Sequence, residues 1–75
     1  MVNVTIKLFA HFLEGRFKEA ERTFPVGVVC SHIIEELGFR LGEMGIVMVN
    51  GQHVPMDYAL RDQDTLALFP LVGGG

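Results

Sequence analysis

Seventy-five residues form one domain at most, and a composition of 49% apolar and 20% charged residues excludes the polar, highly charged profile of a disordered chain. A chain this short buries only about 60% of the surface that its unfolded form exposes, so it supports a single small core and no catalytic cleft between domains. Nine acidic residues against six basic ones, a formal charge of −3 with no two basic residues adjacent, argue against phosphate-backbone binding and hence against a nucleic-acid partner.

Val2, Val4, Ile6 and Leu8 alternate with Asn3, Thr5 and Lys7, the period-two pattern of a strand with one buried face, over about residues 2–9. Ala10 to Gly15 breaks the alternation. Phe17 to Phe24 resumes it as a second, more exposed strand. After Pro25 and Gly27, the spacing of Cys30, Ile33, Ile34 and Leu37 predicts an amphipathic helix over Val29 to Leu37, with Ser31, Glu35 and Glu36 on its solvent face and Gly38 as its left-handed terminator. A loop containing Gly42 and Gly45 leads to a strand at Ile46 to Val49. Asn50-Gly51 then predicts a tight hairpin turn into Gln52 to Val54. Pro55 to Gln63 is irregular, and Thr65 to Phe69 is a last strand that stops at Pro70. Strands, one helix, then strands without further helices argue for an α+β architecture with the helix across one face of a sheet of four to five strands.

Cys30 cannot form an internal disulfide, and apolar stretches reach only four residues, well short of a membrane span. The N-terminus alternates instead of forming an apolar block, so the expected setting is reducing and cytoplasmic, with no membrane partner. Leu71-Val72-Gly73-Gly74-Gly75 follows directly on the last strand. Glycine lacks a Cβ, so such an end can pass a channel that side chains would block and display only its carboxylate. A carboxylate is a poor acyl donor, but a partner with ATP can convert it to an acyl-adenylate open to attack by sulfide or an amine. A frayed terminus is the plainer reading of three glycines taken alone.

The run Val49-Asn50-Gly51-Gln52-His53-Val54, then Leu60-Arg61-Asp62-Gln63-Asp64-Thr65-Leu66, Phe69-Pro70-Leu71-Val72 and Gly74-Gly75 resembles the MoaD/ThiS family of ubiquitin-like sulfur carriers. That family has a hairpin, an L-x-D-G-D turn, a strand, P-x-V and a terminal Gly-Gly in this order, and the likeness spans essentially the whole chain. It implies a ubiquitin-like β-grasp fold with a mixed sheet, forming one domain over residues 1–75 with a flexible glycine tail at 73–75. It also implies a carrier that is no enzyme itself and binds no cofactor. Gly75 is then the residue adenylated at the expense of a partner's ATP and converted to a thiocarboxylate, with Gly74 the second glycine. The implied partners are a ubiquitin-activating-like adenylating enzyme and either the molybdopterin synthase large subunit or a thiazole synthase. Phe69-Pro70 before Leu71-Val72 leans to the molybdopterin branch, and Val54-Pro55 to the thiamine branch. A protein modifier conjugated through Gly75 and a plain interaction domain are the alternatives.

Three departures from the family pattern stand out. Gln63 replaces the usual glycine, which calls for a strained residue or a different turn. Val29 replaces a Thr helix cap, a loss of about 1 kcal/mol that Cys30 and Ser31 compensate poorly. Gly73 stands where many members carry another small residue. If Leu66 and Leu68 face the helix, Phe69 points outward, and if Val47 and Val49 are core, Met48 does too. The sheet then has a partly apolar outer face expected to bind a partner through Phe69 and Met48, with Leu71, Val72 and Gly73 leading to the terminus. Cys30 is expected in the core. His11, His32 and His53 share no metal-ligand spacing, and Asp62 and Asp64 read as turn residues, so no metal is expected.

Overall fold

Strand β1 (Val2–Leu8) buries its even residues and leaves Asn3, Thr5 and Lys7 half-exposed, as the alternation predicts. The computed structural model describes residues 1–13 and 15–71, the side chains of His11 and Leu13 excepted. Antiparallel to β1 runs β2 (Glu19–Phe24), in register from Val2 opposite Phe24 to Lys7 opposite Glu19. On the other side of β1 lies β5 (Asp64–Pro70), parallel to it, with Ile6 beside Leu66 and Leu8 beside Leu68. Strand β3 (Met44–Val49) pairs antiparallel with β5, and β4 (Gln52–His53) closes the far edge in the order β2-β1-β5-β3-β4. The result is a five-stranded mixed sheet, an α+β fold.

The helix α1 spans Cys30–Glu36, two turns. A helix that short is not stable alone in water. Cys30, Ile33 and Ile34 are completely buried against Val4, Ile6, Leu66 and Leu68 of the sheet, and each of the two isoleucines contributes about 1.5–3 kcal/mol. Val29 makes no side-chain cap, as its sequence position foretells, but Cys30 and Ser31 are not what compensates. The loop supplies the acceptors: the Cys30 and Ser31 amides donate to the carbonyls of Tyr58 (3.1 Å) and Met56 (2.8 Å), and the Leu60 amide donates back to Val28 (2.8 Å). At the other end Gly38 (φ 93°) donates to Glu35 and Phe39 donates to Ile34, a Schellman closure that only a left-handed residue permits at low cost.

Two short 3-10 segments, Ala10–Leu13 and Leu41–Glu43, occupy stretches read from sequence as loops. Strand β3 also begins earlier than Ile46. Met44 and Val47 are both buried although three residues apart, which a regular pleat forbids; the register shift between Met44 and Ile46 makes Gly45 the extra residue of a bulge and turns Met44 inward. Gly45 is also where β5 comes closest, since a Cβ built on it would lie 2.6 Å from the Pro70 carbonyl oxygen and 3.0 Å from the Leu71 Cα.

The turn before β5 is tied in by its polar residues. Asp62 accepts from the Asn3 amide (2.7 Å), which with the Gln63 side chain holds its carboxyl below the usual range. Asp64 accepts from the Asn50 side chain (2.9 Å) and the Arg61 amide (2.8 Å), and Asn50 accepts in turn from the Thr65 amide. Asn50 and Gly51 both have positive φ, the turn that the Asn-Gly pair predicts. Gln63 resolves its departure by strain, with φ 71° and its amide donating to Asn3 (2.7 Å). The left-handed region costs a side-chain-bearing residue about 1–2 kcal/mol, and glycine's extra unfolded freedom returns about 0.5–1 of it. Gln63→Gly should therefore stabilise the fold by about 0.5–1 kcal/mol, seen as a higher denaturant midpoint; a lower midpoint would show the turn to be relaxed.

Candidate functional site

Strand β5 lies in the middle of the sheet and carries the chain to its C-terminal segment. Its odd residues address β3: the Thr65 carbonyl accepts from Asn50, and the Leu71 amide donates to the Glu43 carbonyl at 2.8 Å. Pro70 therefore turns its donorless nitrogen toward β1, which has already ended at Leu8, so a proline closes this central strand without orphaning an acceptor. The Glu43 bond pins the last described residue. Val72, Gly73, Gly74 and Gly75, all expected in the site, lie outside the described residues.

Beside that exit, the face of the sheet opposite α1 is apolar. Phe69 pairs with Ile46 and Ala67 with Met48, so all four side chains share this face, as the strand phases predict. Ile46 is 41% exposed and Leu71 60%, whereas Met48 and Phe69 are half-buried. Phe69 is less free than an outward-facing aromatic suggests, because the Phe9 ring stacks on it at 4.3 Å and 10° between planes. The sequence reading carries the first strand through Phe9, but β1 ends at Leu8, and that reading does not supply the partner that Phe9 finds on the outer face. Its parity with Asn3, Thr5 and Lys7 is the signal that places it on the outer face. Lys7 and Glu19, 3.9 Å apart and solvated, form the polar margin and add little stability.

The other candidates take structural roles. Cys30 is buried, and desolvation pushes its thiol up to about 11, so it stays neutral and inert where a reactive thiol would need exposure and a positive neighbour. His32 lies 3.6 Å from Glu36 on the solvent side of α1. Among the described residues no three metal-ligating side chains come together, and none of their helices is long and apolar enough to cross a membrane. What remains is an apolar face beside a pinned strand end.

One family model, that of the ThiS family, matches residues 6–75. Among solved structures, a Pyrococcus furiosus protein assigned as molybdopterin converting factor subunit 1 superposes with a TM-score of 0.79 and 31% identity, over 96% of this chain and all of the other. Haloferax volcanii small archaeal modifier protein 1 gives 0.78 and 21% identity over 96% of this chain and all of its own. The HVO 2177 protein of the same organism gives 0.79 and 25% identity over 99% of this chain and 87% of its own. No curated protein matches in sequence.

Proposed function

Because this chain belongs to the ThiS family, whose members are small carrier proteins and not catalysts, we propose that it is a sulfur carrier that works through the carboxyl group of Gly75. The observation that carries this reading is the pinned strand end: Leu71 is fixed to Glu43, the residue just before β3, beside an apolar face, and the family match runs on through the last glycine. A partner that docks on Phe69, Met48, Ile46, Phe9 and Leu71 can draw in Val72, Gly73, Gly74 and Gly75 through a channel too narrow for side chains.

Within an adenylating partner, a Gly75 carboxylate oxygen attacks the α-phosphate of ATP and pyrophosphate leaves. A sulfide equivalent then attacks the acyl carbon, the bond to AMP breaks, and the terminal thiocarboxylate is ready to give its sulfur to a synthase. The molybdopterin branch is favoured over the thiazole branch by the 31% identity to a protein assigned as molybdopterin converting factor subunit 1, together with Phe69-Pro70 before Leu71-Val72.

Incubation with the cognate adenylating enzyme, ATP and a sulfur donor should raise the intact mass by the difference between sulfur and oxygen. If instead the chain appears as isopeptide adducts on lysines and never as a thiocarboxylate, the modifier reading, which draws on the likeness to small archaeal modifier protein 1, replaces this one.

A further inference from the structure

We propose that Gly45 is a positioning residue for this chemistry: as the side-chain-free member of the β3 bulge, it lets the end of β5 close on β3 and so fixes where the C-terminal segment begins. The inference rests on the carrier reading given above. Three observations converge on it. Gly45 is the residue that breaks the register between Met44 opposite Pro70 and Ile46 opposite Phe69. Its missing Cβ would meet backbone, the Pro70 oxygen at 2.6 Å with the Pro70 carbon and Leu71 Cα at 3.0 Å, and backbone cannot swing aside as a flexible side-chain tip would. The Leu71 amide reaches the Glu43 carbonyl, two residues before Gly45, at 2.8 Å.

Gly45 is exposed, and its φ is not in the left-handed region, so neither core packing nor turn geometry demands a glycine here. The close approach of Pro70 does. An alanine has to push the end of β5 away from β3, lengthening or breaking the Leu71 bond while leaving Phe69, Met48 and the core below them in place. Among the described residues, this contact is the last one that sets the direction of the chain toward the carboxyl group.

The test uses Gly45→Ala in the full chain, with Gly42→Ala as the control, since a Cβ at Gly42 meets nothing within 4 Å. Hydrogen exchange at the Leu71 amide should be slow in the native protein and in Gly42→Ala and fast in Gly45→Ala. In adenylation assays with the cognate enzyme, kcat for Gly45→Ala should fall about tenfold or more, because misplacement by about 1 Å can cost 10²-fold. KM for the carrier should change less than kcat, since Phe69, Met48 and Phe9 of the docking face stay in place and Leu71 at its margin is the docking residue that shifts.

A KM increase at unchanged kcat would instead put Gly45 in the docking surface, and native-like exchange and kinetics would remove it from any role; either overturns the proposal. If Gly45→Ala does not fold, a single glycine inserted between Leu71 and Val72 decides, because it leaves the sheet intact and only shifts the carboxyl group from its anchor. The same loss in kcat supports the proposal, and full activity overturns it. A native chain that is never adenylated defeats the carrier reading, and the exchange measurement then still tests the anchor by itself.

Discussion

A chain lengthened by one residue after Gly75 should fail to acquire sulfur, with thiocarboxylate formation falling more than about 100-fold. The magnitude follows from reach. One residue adds about 3.3–3.6 Å of extended chain, as much as the whole separation of about 3–3.5 Å at which reacting atoms must be held. Gly75→Ala should fail for a different reason, because its methyl group meets the walls of a channel shaped for glycine. Neither change should move stability beyond about ±0.5 kcal/mol, the usual range for surface substitutions away from special features. Intact mass after incubation with the adenylating enzyme, ATP and a sulfur donor reads the result directly. An extended, untrimmed chain that still supports cofactor synthesis would sink the carrier hypothesis.

Phe69→Ala should weaken binding to the adenylating enzyme by about 2 kcal/mol or more, near 30-fold, as expected for an aromatic anchor in a docking face. The stack with Phe9 means that folding is not spared: a ring pair of this geometry contributes about 0.5–1.5 kcal/mol beyond burial, so the melting temperature should also fall. Phe9→Ala separates the two effects, since it breaks the same stack while leaving the Phe69 ring in place. Calorimetric affinity should follow Phe69 more than Phe9, and the two losses in stability should be similar. Unchanged affinity for Phe69→Ala alongside a sharp drop in melting temperature would make Phe69 a structural residue only.

Local periodicity carries far in so small a chain. The Val2-to-Leu8 alternation, the Cys30/Ile33/Ile34 stripe and the Asn50-Gly51 turn each depend on neighbours within a few residues, and all three are found where the sequence places them. The same phase logic puts Phe69 and Met48 on the face away from the helix. What the sequence hides are contacts between distant segments. The helix start looks uncapped because its acceptors, Met56 and Tyr58, lie more than twenty residues further along the chain. Met44 reads as loop because only the bulge at Gly45 turns it inward, and the bulge answers to Pro70, not to its own neighbours. Phe9 meets Phe69 only because β1 and β5 run side by side.

The strand order has a consequence for when this domain can come into being. Pairs β1–β2 and β3–β4 are each local in sequence, but in the sheet they are joined through β5, the last strand among the described residues. A chain still being synthesised and lacking residues 64–70 holds two separate hairpins, each with an unpaired inner edge, and an isolated hairpin is marginal in water. Loop closure across some sixty residues, Val4 to Asp64, must precede the joining of the two hairpins in one sheet, which makes completion of the fold a late and comparatively slow event. The ordered domain and its carboxyl end thus mature together: the apolar face formed by Ile46, Met48 and Phe69 is complete only once the strand that leads to Gly75 has been made.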